Sequence, residues 1–213
     1  MEMKKHTIER LQLIKDIQDA AALYKKNLVG RKFLYVFEGK WIEVIYTVKG
    51  FKHLTGVESS LSAKAFFDNA IKRKLTVRNI YFTANHPYDL CIRKVNHLCQ
   101  LPALASGDGF LLQNIGTKTQ SYKFGATDLN FTLLFNQTID VSTGRIVGDC
   151  LYVESLRDED CFNRSANVYE VTHILSKKND QPRYNVIHFV DKRYSVQDLP
   201  VDIIDKIDAS ILS

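Results

Sequence analysis

Two side chains that can handle protons or bind phosphate lie close together at residues 51–57, which read Phe-Lys-His-Leu-Thr-Gly-Val. His53 is the best candidate for a general base or acid, because the ordinary histidine pKa of ~6.5 lies near working pH. Thr55 is suited to hydrogen-bonding a phosphate oxygen or positioning a hydroxyl. If the preceding strand continues through this segment, alternation places His53 and Thr55 on one face and Leu54 on the other.

The elements that must position this segment are predicted from periodicity. Apolar residues from Ile8 to Leu28 recur every three or four positions, which predicts a helix over 6–27. Aromatic and β-branched residues on both sides of Gly39 predict a β-hairpin over 32–48. Serines at 59–62 are candidate N-caps for a helix to about residue 74. Pro102 is predicted to end a further helix that covers 88–100.

The second half of the chain predicts a β-sheet. Its apolar segments are separated by turn-forming residues and lie at 110–115, 122–124, 129–135, 150–154, 168–175 and 184–190. This spacing is typical of an antiparallel, twisted sheet. After Pro200, a short helix is predicted with four inward residues, Val201, Ile204, Ile207 and Ile211. No linker requires a domain boundary, so we expect a single domain over 1–213.

Composition and charge narrow the class of protein. The net charge of +5 permits a nucleic-acid partner without requiring one. No apolar run approaches the ~18 residues of a membrane span, so no membrane partner is expected. The charged N-terminal stretch lacks the apolar core of a secretion signal, and the four cysteines form no C-x-x-C pair. We therefore expect a cytoplasmic protein whose cysteines are buried free thiols.

Motifs of several other activities are missing from the sequence. It contains no glycine-rich phosphate loop, no H-E-x-x-H zinc motif and no G-x-S-x-G nucleophile motif. The acidic run at 158–160 is better interpreted as a solvated turn or helix start than as a set of metal carboxylates. We therefore expect no cofactor and no metal site.

Five segments of the first half are similar to a known nuclease family, at 24–28, 31–36, 42–44, 51–57 and 62–67. They resemble the phage Barnase–EndoU–colicin E5/D–RelE-like nucleases, in particular the fourth such group. The sequence His53-Leu54-Thr55-Gly56 matches the most recognisable motif of that family. The resemblance is best over 24–75 and weaker over 76–213, where 151–160 is similar to a tail segment of the family.

The resemblance implies a compact α+β fold with N-terminal helices packed on a curved, mainly antiparallel sheet. It also implies metal-independent cleavage of RNA, in which a ribose 2′-OH attacks the neighbouring phosphorus and leaves a 2′,3′-cyclic phosphate. DNA lacks this hydroxyl and cannot react in this way. We therefore expect a phage- or prophage-associated, toxin-like endoribonuclease. Its expected partners are RNA and an inhibitor or another phage or host protein.

For this chemistry the sequence offers His53 and Thr55 as catalytic residues. Arg157 is the candidate cation that stabilises the transition state. Three further residues are assigned to substrate binding, and these are Lys64, Arg73 and Gly56. The two cations come from the predicted helix at 59–74, and Arg is the better of them for bidentate phosphate contact.

Each of these assignments has an alternative. The partner acid or base stays open among Tyr122, His173 and His188. Gly56 also suits a turn that links the strand to the helix, and the basic run at 72–74 also suits a solvated helix end. Because no second acid or base is evident, the alternative function is a non-catalytic RNA- or protein-binding module on the same fold.

Overall fold

The computed structural model describes residues 2–118, 120–139 and 146–212 of the chain. The chain divides into two compact units. We call them the helical unit, Met1–Val29 with Thr47–Pro102, and the sheet unit, Gly30–Tyr46 with Ala103–Ser213. Each unit therefore combines two separate stretches of sequence. The single domain expected over 1–213 stays a prediction.

The helical unit holds most of the helical residues. The helices are α1 (Glu2–Asn27), α2 (Gly50–Thr55), α3 (Ala63–Ile71) and α4 (Tyr88–Leu104), of which the last two residues belong to the sheet unit. The first predicted helix is confirmed by α1, although Ile8 and Leu11 of its apolar stripe are exposed. The predicted N-cap of α3 is also confirmed, because the Ser62 hydroxyl accepts a hydrogen bond from the Ala65 N–H.

An aromatic cluster forms the centre of the helical unit. The ring centroids of Tyr24 and Phe51 are 5.2 Å apart, and those of Phe51 and Phe67 are 5.1 Å apart, both edge to face. The Tyr24 hydroxyl donates to the carbonyl oxygen of Thr47 at 3.1 Å. Because these rings come from α1, α2 and α3, the short helix α2 is held by its own buried side chains.

The helix at 88–104 corrects one expectation from the sequence. Pro102 does not end α4, which continues to Leu104. Proline removes a single intrahelical hydrogen bond, and this costs less in a last turn than in a helix interior. Leu101 and Leu104 on either side of the proline are buried, so packing holds the final turn in place.

The described residues of the sheet unit form one sheet of nine strands, which runs from an edge at β7 to an edge at β9 in the order β7-β3-β4-β5-β6-β2-β1-β8-β9. The strands are β1 (Arg31–Phe37), β2 (Lys40–Ile45), β3 (Phe110–Gly116), β4 (Ser121–Thr127), β5 (Thr132–Ile139), β6 (Ile146–Arg157), β7 (Asn167–Glu170), β8 (His173–Lys178) and β9 (Val186–Val190). Among these strands, β2 and β6 pair in parallel and the other neighbours pair antiparallel. The α+β class and the mainly antiparallel sheet are therefore confirmed.

The hairpin of β1 and β2 forms as predicted. Its two turn residues, Glu38 and Gly39, have φ of 46° and 68°. Positive φ at both positions is what a tight hairpin turn of matching twist requires. Phe33 through Phe37 are all buried, because β1 lies between β2 and β8 in the interior of the sheet.

The C-terminal segment departs from the predicted helix. It forms short 3-10 turns at Val196–Asp198, Val201–Lys206 and Ala209–Ile211. Val201 was expected to face inward but is 89% exposed, whereas Ile203 is fully buried. The tighter winding of a 3-10 helix moves successive side chains away from the α-helical stripe. Ile203 instead packs in the cluster that contains Leu34 and Tyr184.

Candidate functional site

The segment that the sequence singled out is a helix, and the expected strand is wrong. The backbone turns at Thr47, whose carbonyl and hydroxyl oxygens both accept from the Gly50 N–H, and α2 begins there. Phe51, Leu54 and Thr55 are its buried residues. Their spacing of three and four is the spacing of one helix face. Since successive helical residues are turned by ~100°, His53 does not share a face with Thr55.

His53 is the exposed residue of this motif. None of the residues that the structure describes hydrogen-bonds to its ring. The neighbouring Lys52 is instead fixed, because its ammonium donates to the carbonyl oxygens of Ser59 at 3.1 Å and Leu61 at 3.2 Å. His53 is therefore available to a ligand, but no group within the described part of the chain orients its ring.

Thr55 is fully buried, and its hydroxyl is used within the helix end. The hydroxyl donates to the Lys52 carbonyl oxygen at 2.6 Å and accepts from the Val57 N–H at 3.2 Å. These two bonds close the last turn of α2. A side chain with no exposed surface cannot touch a phosphate in this conformation, so Thr55 acts here as a structural residue.

Gly56 ends α2 in the left-handed conformation. Its φ is 73°, and its N–H donates to the His53 carbonyl oxygen. A Cβ at this position would lie 2.9 Å from Cδ of Lys94 and 3.6 Å from Sγ of Cys91. Both the φ and the space therefore favour glycine, which agrees with the turn interpretation.

The remaining predicted site residues lie in different surroundings. Lys64 is exposed on α3. Arg73 follows α3 with φ of 53° and forms an ion pair with Asp19 of α1 at 2.5 Å. Arg157 ends β6 in the sheet unit, where its Nε is buried with no hydrogen-bond partner among the described residues. His53, Thr55 and Gly56 are thus brought together by one short helix, and Arg157 belongs to the other unit.

The three side chains left open as a partner acid or base also have structural contacts. Tyr122 is buried in the sheet core. His173 uses both ring nitrogens, at 2.9 Å from the Thr172 hydroxyl and 2.8 Å from the Ser195 carbonyl oxygen. The His188 ring bonds the hydroxyl of Ser176 at 2.7 Å, and burial together with Arg31 lowers its pKa.

A cleft of about 550 Å³ opens in the sheet unit, and we call it the sheet cleft. Its walls combine aromatic, cationic, amide and acidic side chains with two aliphatic ones. The aromatic residues are Phe37, Trp41 and Phe124, the cations are Lys40 and Lys123, and the others are Gln113, Gln137, Glu43, Ile42 and Leu151. Aromatic faces and cations in one cleft match the base and the phosphate of a nucleotide.

The cleft exists because β2 and β6 separate along their length. β6 pairs with β2 only at Val44 and Ile45. The preceding residues of β2, from Lys40 to Glu43, pair with β1 on one side but have no backbone pairing partner among the described residues of β6. This uncovered part of β2 forms one wall of the sheet cleft, and side chains from β3, β4 and β5 complete it.

Glu43 is the buried carboxylate of the cleft wall, 6% exposed. Its Oε1 accepts from the Tyr184 hydroxyl at 2.8 Å, and its Oε2 accepts from Lys32 and from the Cys150 thiol, both at 3.3 Å. Burial alone would raise the pKa of the Glu43 carboxyl. The hydrogen bond from Tyr184 and the charge of Lys32 outweigh burial, so the pKa is lowered and the carboxylate is ionised at neutral pH.

The other polar side chains of the cleft are positioned by specific contacts. The Lys40 ammonium lies 5.5 Å from the centroid of the Tyr169 ring. Lys123 donates to Oε1 of Gln137 at 3.2 Å. The indole N–H of Trp41 donates to Asp202 at 2.8 Å. The cleft therefore presents two positive charges and one negative charge beside an anchored indole ring.

The sequence offered one sign of this cleft that was missed. Glu43 interrupts the apolar run of β2, between Ile42 and Val44. A charged residue inside a strand of the sheet interior needs buried partners, and such groups are enriched at functional sites. Cleft residues such as Gln113 and Lys123 have no comparable signature, because they lie on strands that are far from β2 in the sequence and do not pair with it.

Three further features of the described residues bear on function, namely the state of the cysteines, metal-binding clusters and membrane-spanning helices. All four cysteines are free, but the expectation that they are also buried holds only for Cys91 and Cys161, since Cys99 is exposed and Cys150 is partly exposed. Across residues 2–118, 120–139 and 146–212, no group of three His, Cys, Asp or Glu side chains is placed to hold a metal ion. In the same residues no helix is both long and apolar enough to cross a membrane.

Comparison with known proteins identifies the family. The sequence model of the family described as phage-Barnase-EndoU-ColicinE5/D-RelE like nuclease4 matches residues 16–193. The match extends well beyond the stretch of best resemblance, 24–75, and includes both units. Searches of curated proteins and of solved structures return no match. The chain therefore belongs to this nuclease family, and nucleic acid is the substrate that the family implies.

Proposed function

We propose that this chain is a metal-independent endoribonuclease that cleaves RNA by attack of a ribose 2′-OH and leaves a 2′,3′-cyclic phosphate. Family membership supports the nuclease class. The observation that carries the proposal is the sheet cleft, because its lining includes the buried carboxylate Glu43, the cations Lys40 and Lys123 and the indole ring of Trp41. A base, positive charge and a stacking surface are the parts that this reaction needs.

The first step is removal of the 2′-OH proton by the Glu43 carboxylate. Oε1 accepts one hydrogen bond, from Tyr184, so a second lone pair is left for a substrate hydroxyl. As the proton moves to Glu43, the 2′-oxygen forms a bond to phosphorus.

The second step is departure of the 5′-oxygen. The bond between phosphorus and O5′ breaks, and the leaving oxygen takes a proton from the ammonium of Lys40 or Lys123. The other ammonium balances the negative charge on the equatorial oxygens of the phosphorane. These charges come from the protein itself, which is why we propose cleavage without a metal ion.

His53 is the second candidate for proton transfer. It belongs to the motif that carries the family resemblance, and its ring is exposed on α2. Thr55 and Gly56 support it by fixing the helix end, in place of the direct contacts expected from the sequence. We propose Glu43 as the base, with His53 as the alternative that the variants below decide.

The second candidate function is an RNA-binding or protein-binding module without catalysis. One observation favours it, namely the three donors that already hold the Glu43 carboxylate. If these bonds occupy the carboxylate fully, the sheet cleft binds RNA and does not cut it.

We also propose, from the family, a phage or prophage origin, a cytoplasmic location, a toxin-like action and an inhibitor protein as a partner.

The test is incubation of the protein with a fluorescent RNA pool in EDTA, followed by analysis of the product ends. Wild type is expected to yield 2′,3′-cyclic phosphate ends. Glu43→Gln is expected to yield none, His53→Ala to cut, and Glu38→Gln, which removes the same charge from the exposed hairpin turn, to cut as wild type does. Circular dichroism checks that each variant is folded.

The other outcomes are equally informative. Loss of cleavage in His53→Ala alone moves the base to the helical unit. RNA binding without cleavage by any form, wild type included, favours the binding module. Cleavage that disappears in EDTA and returns with Mg²⁺ contradicts metal independence.

A further inference from the structure

The amide groups of the sheet cleft are oriented by their neighbours, and this orientation bears on which RNA bases fit. Gln113 lies on β3 opposite Asn167 of β7. Its Oε1 accepts from the Tyr169 hydroxyl at 2.8 Å and from Nδ2 of Asn167 at 3.2 Å. Turning the amide over would bring two NH₂ groups together. The Gln113 side chain therefore has its NH₂ group, a pure donor, left for a ligand.

Gln137 is oriented in the same sense. Its Oε1 accepts from the Lys123 ammonium at 3.2 Å, and a lysine cannot accept in return. None of the described residues hydrogen-bonds to Nε2 of Gln113 or of Gln137. Both cleft amides thus offer a donor, beside the two lysine ammonium groups. Glu43 is the acidic side chain of the wall, and it already accepts three hydrogen bonds.

RNA bases differ in what they offer to such donors. Guanine carries a carbonyl oxygen at position 6 and uracil carries one at position 4, whereas adenine and cytosine carry amino groups at these positions. An amino group facing an amide NH₂ leaves both donors without an acceptor, and buried donors without partners are costly. Donor side chains that face position 6 of a purine or position 4 of a pyrimidine therefore favour keto bases over amino bases.

We propose that the sheet cleft selects guanine and uracil over adenine and cytosine, with Gln113 and Gln137 as the specificity-determining residues. This inference rests on the proposed function, because it assigns the base preference of the same ribonuclease site. Trp41 is the partly exposed aromatic residue of the cleft, with the Lys206 ammonium 3.8 Å from its ring centroid, and it supplies a stacking surface that tolerates any base. The amides supply the discrimination.

The test uses binding and does not depend on cleavage. The chain has one tryptophan, Trp41, and it lines the cleft, so its fluorescence reports directly on occupancy. Titration with the four ribonucleoside 3′-monophosphates is expected to give Kd values about 10-fold lower for the guanine and uracil nucleotides than for the other two. Inosine 3′-monophosphate keeps the carbonyl oxygen at position 6 and is expected to bind like the guanine nucleotide.

The Gln113→Glu variant replaces the donor by an acceptor of the same shape. Its new charge weakens binding of all phosphates, so the readout is the ratio of keto to amino nucleotide affinity. That ratio is expected to fall about 10-fold, towards or below unity. Gln120→Glu adds the same charge at an exposed position ahead of β4 and is expected to keep the wild-type ratio.

Failure of this inference is distinguishable from failure of the proposed function. Equal Kd values for the four nucleotides, or an unchanged ratio in Gln113→Glu, overturn the base selection while RNA cleavage in EDTA still supports the ribonuclease. No fluorescence response together with intact cleavage moves the substrate away from the sheet cleft and overturns the inference. No response and no cleavage overturn both.

Discussion

The helix at 50–55 and the sheet cleft use polar residues in opposite ways. In α2 the buried polar residue, Thr55, uses its hydroxyl only for the nearby backbone groups of Lys52 and Val57, and the ring of the exposed His53 has no hydrogen-bond partner among the described residues. In the cleft the buried Glu43 is held by side chains from β1, from β6 and from the segment before β9. The local hydrogen bonds of Thr55 close a helix turn. The long-range hydrogen bonds of Glu43 hold a charged carboxylate in a position that is shielded from water.

This difference indicates where chemistry is built into the molecule. A buried carboxylate needs donors to remain ionised, and the protein supplies three of them to Glu43. An exposed histidine on a short helix needs no such support. Variants that separate the two regions therefore test whether the motif of the family resemblance or the cleft carries the activity.

The largest effect is expected from removal of the cleft cations. The double variant Lys40→Ala, Lys123→Ala is expected to cleave RNA about 10²–10³-fold more slowly, since each lysine faces the charge that develops on phosphate. The log–log salt slope of RNA binding is expected to become shallower by about 1.4 for single strands. Lys64→Ala on α3 is the matched control. If Lys64→Ala reduces cleavage as strongly as the double variant, the site lies in the helical unit.

A smaller effect, on stability, is expected at the C-cap of α2. Gly56→Ala forces an alanine into the left-handed region and against Lys94, which is expected to lower the free energy of unfolding by about 2 kcal/mol. Gly30 also has a positive φ, of 79°, but an added Cβ would have nothing within 4 Å of it. Gly30→Ala therefore measures the cost of the left-handed backbone alone, which is expected to be about 1 kcal/mol. Urea titration measures both. Cleavage per folded molecule should not change in Gly56→Ala, and a specific loss would return Gly56 to substrate binding.

Loss of the Thr55 hydroxyl is expected to lower the free energy of unfolding by about 1 kcal/mol. Thr55→Val keeps the shape but removes the hydroxyl, so the Val57 N–H and the Lys52 carbonyl each lose a partner. Thr55→Ser keeps the hydroxyl and is expected to retain stability. Thermal unfolding compares the two. Normal stability with lost cleavage in Thr55→Val would restore the catalytic role expected from the sequence.

The smallest effect is a shift in pH dependence. Because the pKa of Glu43 is lowered, its carboxylate stays ionised at pH values below the ordinary glutamate pKa of 4.5. The stability that the ionised carboxylate contributes is therefore lost only as the pH falls through the lowered pKa. Tyr184→Phe removes one donor, so the pKa rises and the acid limb of kcat/KM moves to higher pH. Tyr81→Phe, an exposed tyrosine of the helical unit, is the control. An acid limb that does not move in Tyr184→Phe would remove Glu43 from the reaction.

Local elements of this fold were predictable from the sequence. The hairpin of β1 and β2, the helix α1 and the cap at Ser62 each follow from periodicity or from one turn residue. The segment at 51–55 was not predictable in the same way, because five residues are too few to distinguish strand alternation from one helical turn before the burial of Phe51, Leu54 and Thr55 is known. Its helix is fixed by the burial of those three side chains.

The sheet cleft was beyond local sequence patterns. It depends on where Val44 meets Leu151 and on where their strands then separate, which no window of sequence contains. Glu43 was the one detectable clue, as a charge within an apolar strand. Gln113 and Lys123 gain significance only from the folded sheet, in which they line the same cleft as Glu43.

The pairing of β2 with β6 also bears on how the molecule folds. It joins β2-β1-β8-β9 to β7-β3-β4-β5-β6 through two register pairs, whereas the other long-range pairings, β1 with β8 and β3 with β7, have six and four. Closing so long a loop for so few hydrogen bonds is favourable only after both half-sheets exist. We expect the amide protons at this junction to exchange with solvent through a smaller opening than those of β1. The wall that shapes the cleft is then among the last parts of the sheet to form and the first to open.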